Sequence, residues 1–363
     1  MTSVDALTIA DLKQRTSETP LQACVDAQLQ QRTEKTTRKG DPYLELTLTD
    51  ATSTFTLKAW SNHAQFLEVN KLGPGSFVRL EGSWTQSHYG IDSESWKIRA
   101  LDEGEVSSFL SGDPATRARQ DKDWEHIYNT CDSIRDPRLH ALCRKFLDEF
   151  GDRFRRAAAA KKNHHARRGG LVEHVAQMMR SATALGTVYT DMNCDLLIAG
   201  VLFHDCGKLW ENNYPESGFA QQLSLHGEMM GHIPLGIELV NKIWRDLLDS
   251  DAAEHWLTHE PPSEHVRLHL LHLIASHHGE LAFGSPTLPR TPEAFALHYI
   301  DNLDAKYEMV RCAYLNANEL APGIYDRQFP LPANLVSSLP AFEGGPSPGT
   351  QSEKKSGSQG SLL

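Results

Sequence analysis

The sequence predicts a multidomain protein in which an N-terminal all-β barrel is followed by an all-α helical bundle. Two patterns carry that prediction. From about Leu21 to Leu101 apolar residues alternate with polar ones, as in half-buried strands. From about Trp124 to Tyr325 they recur every three or four positions, as on amphipathic helices. Between these stretches, "GEVSSFLSGDPATRARQ" contains Gly, Ser and Pro and predicts a linker.

The first half contains five predicted strands and one short helix. The strands are "LQACVDAQLQ", "PYLELTLTD", "STFTLKAW", "SFVRLEGSW" and "SWKIRAL". The helix, "NHAQFLEVNKL", follows the third strand, and a "GPG" turn comes after it. Three strands, a helix and two strands is the order of a five-stranded OB barrel, a fold that often binds single-stranded nucleic acid or sugars.

These patterns divide the chain into five predicted segments. They are a polar N-terminal arm (1–17), an OB-fold nucleic-acid-binding domain (18–105), a linker (106–123), a helical domain (124–330) and a disordered Gly/Ser/Pro-rich tail (331–363).

Composition narrows the class of protein. The 363 residues are 40% hydrophobic and 23% charged, as in globular proteins. No apolar run approaches the roughly 20 residues that span a bilayer, and the N-terminus lacks the features of a signal peptide. Six scattered cysteines without a C-x-x-C motif indicate reduced thiols. We therefore expect a cytoplasmic protein without a membrane partner. A net charge of −11 argues against indiscriminate coating of nucleic acid.

The helical half places histidines and aspartates at the ends of apolar segments. The segment 196–203 is apolar except for Gly200, and it leads directly into His204 and Asp205. Burying an imidazole or a carboxylate is costly unless it is paired or holds a metal. Nitrogen and carboxylate ligands together suit a divalent first-row metal. The other residues of this kind are His174, His232, His277, His278 and Asp301.

Longer strings around these residues resemble a known family. The order of His174, His204-Asp205 and Asp301 resembles the HD superfamily of metal-dependent phosphohydrolases. The strings "NHHARRGGLVEHV", "DLLIAGVLFHDCGKLWE", "GEMMGHIPLG" and "LHLIASHHGELAFGSPTLPRTPEAFALHYIDNLDA" resemble the YhaM-type 3′→5′ exoribonucleases. Those proteins pair an OB domain with an HD domain. The likeness covers about residues 20–320 and departs at Cys206, where the family usually has an aliphatic residue.

The resemblance implies a two-metal site that hydrolyses a phosphodiester. His174, His204 and Asp301 would hold the first ion, and His232 and His277 the second. Asp205 would bridge both, because a carboxylate has two oxygens to share. Asp205 and Lys208 are the expected catalytic residues, with Lys208 neutralising charge on the scissile phosphate. His278 and His298 are expected beside the ligands or the substrate. We expect two Mn²⁺ ions, with iron, cobalt or another first-row metal as alternatives.

Two regions are candidates for binding nucleic acid. The stretch "RFRRAAAAKKNHHARR" (153–168) carries seven Lys or Arg residues and no acid. It is either a solvated helix face or a surface that guides phosphates to the active site. In the OB domain, two aromatic residues are out of phase with the core leucines, and bases stack on exposed aromatic rings. The candidates are Lys161, Lys162, His165, Arg167, Arg168, Tyr43, Trp60 and Lys39.

The resulting prediction is a metal-dependent 3′→5′ exoribonuclease that acts on single-stranded RNA, with single-stranded DNA as a second substrate. One alternative is an HD phosphohydrolase for a small nucleotide or cyclic dinucleotide. The OB domain disfavours it, as does the lack of a G-Y-P element after "HHG". Two others are a two-iron oxygenase and a binding module with a vestigial site. Assembly into a homo-oligomer stays open.

Overall fold

The structure is a computed structural model that describes residues 6–37, 39–87, 90–161, 165–219, 221, 223–250, 255, 256 and 258–340. Its N-terminal part is a five-stranded antiparallel sheet in the order β3-β2-β1-β4-β5. Strand β3 also lies against β5, so the sheet curls into a nearly closed, OB-like barrel. The strands are β1 (Leu21–Thr36), β2 (Pro42–Thr49), β3 (Thr54–Trp60), β4 (Phe77–Ser87) and β5 (Gly90–Ala100).

The alternation read from the sequence sets the barrel interior. Leu44, Leu46 and Leu48 are buried along β2, and Trp84 of β4 is fully buried beside them. Its indole N–H donates to the carbonyl of Ala23 at 3.0 Å, which satisfies the polar end of a buried ring. The predicted order of three strands, a helix and two strands is confirmed, because α2 (Phe66–Lys71) follows β3.

Helices make up the next part of the chain. Most of them contribute to one continuous hydrophobic core, with α7 near its middle and buried on nearly every side. The helices are α3 (Glu103–Ser111), α4 (Pro114–Asp132), α5 (Pro137–Phe154), α6 (Gly170–Val188), α7 (Cys194–Phe203), α8 (Lys208–Glu211), α9 (Leu225–Met230), α10 (His232–Leu248), α11 (Ser263–Ser276) and α12 (Pro292–Asn316), and a 3₁₀ turn lies at Leu281–Phe283.

Two predicted irregular segments are helical instead. The predicted linker 106–123 falls in α3 and α4, since Asp102 forms a capping box at the start of α3 and Asp113 caps α4 ahead of Pro114. Within the predicted arm 1–17, α1 (Ile9–Arg15) buries Ile9 in the barrel core. One or two apolar residues in this otherwise polar segment are therefore enough to pack the helix against the barrel.

The chain forms two compact units, residues 1–316 and 317–363. The second contains a small antiparallel sheet, so the end of the predicted helical domain is not helical. Its strands are β6 (Glu319–Ala321), β7 (Ile324–Tyr325) and β8 (Leu335–Val336). Residues 341–363 of the predicted disordered tail lie outside the described residues. In the described parts of the chain, the helices lack the combined length and apolarity that crossing a bilayer requires.

Candidate metal centre

The centre is built around the turn that ends α7. Residues Leu196–Phe203 are all buried, and the chain then turns sharply through His204, Asp205 and Gly207 into α8. Gly207 is needed here because a Cβ at this position would lie 1.9 Å from the carbonyl oxygen of His232. The turn therefore packs directly against the start of α10 and brings the His204-Asp205 pair beside His232.

Four donor atoms from α6, the α7 turn and α12 converge on one side of Asp205. The Nε2 atom of His174 lies 3.4 Å from Nε2 of His204 and 3.4 Å from Oδ1 of Asp301. The Oδ2 atom of Asp205 lies 3.3 Å from Nε2 of His204 and 3.9 Å from Nε2 of His174. Ligand atoms about 2.1 Å from one ion lie roughly 3–3.5 Å from each other, so this group has the spacing of a coordination shell.

A second group lies on the other side of the same carboxylate. The Oδ1 atom of Asp205 is 3.5 Å from Nε2 of His232 and 3.7 Å from Nε2 of His277. The ring centroid of His278 lies 4.3 Å from the ring centroid of His277 and 5.1 Å from that of His232. Asp205 therefore presents one oxygen to each group of histidines.

A hydrogen bond donated by Nδ1 fixes the orientation of each of the four histidines whose Nε2 atoms face Asp205. His204 donates from Nδ1 to the carbonyl of Val201 at 2.8 Å, and His277 donates likewise to Ile274 at 2.8 Å. His174 donates to Asp304 at 2.7 Å, and His232 to Glu211 at 2.8 Å. In a neutral imidazole with its proton on Nδ1, Nε2 carries the lone pair. Each ring is thus held as a ligand would be, with a hydrogen bond behind it.

The charges of the centre favour cation binding. Burial raises the pKa of Asp205, but the charges of Lys208 and His204 outweigh it and hold that pKa well below its usual range. Burial raises the pKa of Asp301 too, but the hydrogen bond with His174 and the charge of His204 outweigh it and hold that pKa well below its usual range. Burial keeps the pKa of His277 well below its usual value. Both carboxylates are therefore ionised and His277 is neutral near pH 7.

His174 differs from the other histidines. Burial lowers its pKa, yet hydrogen bonds to Asp301 and Asp304 outweigh burial and raise the pKa to about 9. A metal that binds Nε2 must therefore displace a proton there, and the two carboxylates then partner the metal and the imidazole.

Three buried polar atoms of the centre make the case for metal ions. Oδ1 of Asp205, Nε2 of His232 and Nε2 of His277 have no hydrogen-bond partner among the described residues. A buried acceptor without a partner costs about 1–3 kcal/mol. A divalent ion between these three atoms would satisfy all of them, so the residues fit a metal. Clusters able to hold an ion include His174-His204-Asp205 and His232-His277-His278.

Three further predicted residues lie beside the ligands. Lys208 is nearly buried, and its ammonium donates to Oδ2 of Asp205 at 2.6 Å. His278 donates from Nδ1 to the carbonyl of Phe283 at 2.7 Å. His298 donates to the carbonyl of His277 at 2.9 Å, so it supports the chain that carries a ligand.

The basic segment 153–168 does not form one exposed strip. His165 is buried, with Nε2 3.0 Å from Asp304 and Nδ1 3.6 Å from Glu173. Arg167 pairs with Glu173 and Glu308. The guanidinium of Arg168 donates to three backbone carbonyls, those of Pro215, Glu216 and Gly218.

The predicted phosphate contacts at His165, Arg167 and Arg168 are therefore replaced by internal ones. The carboxylates and backbone carbonyls that pair with these three side chains come mostly from distant parts of the chain, so the local sequence does not reveal them. Lys161 is exposed and pairs with Glu228 at 2.8 Å. Lys162 lies outside the described residues.

The aromatic candidates of the barrel lie on its outer surface. Tyr43 and Trp60 are register partners on β2 and β3, their ring centroids are 4.9 Å apart, and Trp60 is 43% exposed. The Nζ atom of Lys58 is 5.9 Å from the Trp60 ring. Lys39 is exposed in the turn before β2. This arrangement has the elements of a stacking platform with cations beside it.

Comparison with known proteins places the chain in a family. An HD domain matches residues 171–306. The 3′-5′ exoribonuclease YhaM of Geobacillus sp. (strain WCH70) is 34% identical over 275 residues, 75% of this chain and 78% of the relative. The chain belongs to the YhaM family. The YhaM of Oceanobacillus iheyensis is 30% identical over 319 residues, 87% of this chain and 93% of the relative. Relatives with that name and an HD domain support a phosphohydrolase.

Two carboxylates of the site are not predicted from the sequence, and one of them orients a histidine that faces Asp205. Glu211, on the short helix after the His-Asp turn, bonds His232, and this contact lowers the pKa of Glu211 against the opposing effect of burial. Glu173 precedes a ligand and joins Arg167 to His165. The one available signal was an acid close to a ligand in sequence. Asp304 accepts hydrogen bonds from His165 and His174.

Proposed function

We propose that this protein is a metal-dependent 3′→5′ exoribonuclease that hydrolyses single-stranded RNA, and single-stranded DNA as a second substrate, through two divalent ions. The observation that carries the proposal is the shared carboxylate of Asp205, whose two oxygens face two separate groups of histidines. Two ions held in this way are suited to in-line displacement at phosphorus. The RNA substrate and the polarity are taken from the names of the relatives.

His174, His204 and Asp301 would hold one ion, His232 and His277 the other, and Asp205 would join them. When bound, such ions activate a water at neutral pH and offset charge on the leaving oxygen. Mn²⁺ is the proposed ion, because imidazole and carboxylate ligands together suit it, although iron and cobalt accept the same ligands.

The remaining polar groups of the centre position these ligands and offset charge. Asp304, Glu211 and the carbonyls of Val201 and Ile274 hold the imidazoles in place. Lys208 adds a fixed positive charge 2.6 Å from Asp205. In a buried site that charge would offset the negative charge of a phosphodiester that enters beside Asp205.

The barrel would hold the strand at a distance from the bond that is cut. The exposed Tyr43–Trp60 pair offers stacking surfaces that accept any base, and Lys39 and Lys58 lie on the same barrel for the phosphate backbone. This division explains why a chain of net charge −11 can handle RNA: the positive charge is needed along one path.

The direct test is a time course on 5′-labelled single-stranded RNA with Mn²⁺. The wild-type protein should shorten the RNA from its 3′ end as a ladder, and Asp205→Ala should not. Asp148→Ala, at an exposed site on α5, is the matched control and should behave as wild type. RNA left intact by metal-loaded wild-type protein would contradict the proposal. Hydrolysis of mononucleotides or cyclic dinucleotides in its place would favour the small-nucleotide alternative.

A further inference from the structure

A cavity of about 840 Å³ separates the barrel from the helical domain within residues 1–316. Its walls come from α1, the β2–β3 turn, α3, α4, the end of α5 and the end of α12. Small-molecule sites measure roughly 300–1,000 Å³, so this cavity has the size for a nucleotide. None of the six proposed metal ligands lines it.

The lining is positively charged in a protein that is acidic overall. It contains eight basic and five acidic side chains, whereas the whole chain has a net charge of −11. Arg155, Arg167 and Arg311 are paired with carboxylates of the lining. Neither Arg117 nor Arg156 is paired with a carboxylate within the described part of the chain, so their charges are available to a ligand.

Arg156 is the most informative of these residues. Its Nε atom is buried and has no hydrogen-bond partner among the described residues. Leaving a buried guanidinium N–H without an acceptor is unfavourable, and more so because the group is charged. Burial lowers the pKa of the neighbouring Arg168, and the charge of Arg156 lowers it further. An anion bound here would relieve both the missing acceptor and the repulsion.

The cavity wall beside Arg168 is fixed in place. Arg168 donates to the carbonyls of Pro215, Glu216 and Gly218, and the N–H of Phe219 donates to Oε1 of Gln28 on the barrel at 2.8 Å. The ring of Phe219 packs edge-on against Phe109. The loop 215–219 is thereby tied to both domains, so the site does not have to be built when a ligand arrives.

Apolar residues also line the cavity. Leu110, Phe219 and Leu315 are among them. A ligand that pairs with arginines and also covers apolar surface is a phosphate attached to a base and sugar, since guanidinium groups bind phosphate oxygens in pairs. Inorganic phosphate alone would leave the apolar surface uncovered.

We infer that this cavity is a non-catalytic binding site for a nucleoside phosphate, with Arg117 and Arg156 as its phosphate-binding residues. The site is distinct from the proposed nuclease site, because none of the proposed metal ligands lines it. A phosphate of bound RNA is the other source of the same chemistry, and the experiment separates the two.

The test is calorimetric titration of Mn²⁺-loaded full-length protein with ADP. Double substitution Arg117→Gln/Arg156→Gln should weaken ADP binding by about tenfold or more, since two charge-assisted contacts are lost. The matched control Arg245→Gln, at an exposed position on α10, should bind ADP as wild type does. Asp205→Asn should also bind ADP normally while it fails to degrade RNA.

Three results would overturn the inference. The first is wild-type protein that binds an RNA oligomer but not ADP, which would assign the cavity to the RNA path or to no ligand. The second is ADP binding that Asp205→Asn abolishes and the double arginine variant retains, which would place the nucleotide at the metal centre. The third is an equal loss of ADP binding in Arg245→Gln. Circular dichroism of each variant separates lost binding from lost folding.

Discussion

The two halves of the metal centre are built differently. On one side, Asp205 and Asp301 accompany His174 and His204, and both imidazoles are fully buried. On the other side, His232 and His277 share only the remaining oxygen of Asp205, and the side chain of His232 is 14% exposed. The first group offers four donors with two negative charges, and the second offers three donors with one charge that it shares.

This difference assigns different roles to the two positions. More donors and more negative charge make a tighter site, so the first position should hold its ion through turnover. The second position leaves more of the coordination shell to water or substrate, as catalytic metal sites do. The substrate is therefore expected to approach from the side of His232 and His278.

The largest expected effect comes from the residue that the two halves share. Asp205→Asn keeps the size of the side chain but removes its charge and one of its two oxygens, so the two positions no longer share a charged ligand. RNA hydrolysis should fall by about 10³-fold or more, the scale of losing a principal electrostatic group. The measurement is the rate of shortening of labelled RNA, with Asp148→Asn as control. Activity within tenfold of wild type would refute a bridging role.

Removal of metal should expose the inequality of the two positions. During titration with a chelator, manganese should leave in two steps, and activity should be lost with the first. His277→Gln should purify with about one ion per chain, because one position lacks a ligand while the other is intact. Metal analysis by mass spectrometry checks both statements. Loss of both ions in a single step would mean that the two positions are equivalent.

The smallest effects should come from the carboxylates behind the histidines. Asp304→Asn and Glu211→Gln each leave a ligand in place but weaken the hydrogen bond that orients it. Each substitution should lower the affinity for metal by about 10–100-fold. Asp304→Asn should weaken the ion held by His174, and Glu211→Gln the ion held by His232. Manganese titration of metal-depleted protein measures both, with Asp246→Asn as an exposed control. If each variant weakened the other ion, the assignment of the two halves would be wrong.

The architecture was predictable because its signals are local. Alternation at Leu44, Leu46 and Leu48 and the apolar run before His204 show in the sequence, and both segments are buried as expected. The order of histidines and aspartates, with the resemblance it supports, led to the set of residues that meets at Asp205. The segment 106–123 has the Gly, Ser and Pro residues typical of a linker, yet most of it is helical because Asp102 and Asp113 cap α3 and α4.

What the sequence did not reveal depends on distant neighbours. Arg167 and His165 look like a basic strip, yet Glu308 and Asp304, more than 130 positions away, pair with them. Glu211 carries no sign in the sequence that His232 will lie beside it. Such pairings follow from the packing of α12 and α10, which one sequence does not specify.

Asp205 is proposed to join two metal ions. The most direct measurement is anomalous X-ray scattering from crystals of the Mn²⁺-loaded protein. The expected result is two peaks on opposite sides of the Asp205 carboxylate, one beside His174, His204 and Asp301 and the other beside His232 and His277. A single peak, or peaks away from Asp205, in crystals of active protein would contradict it.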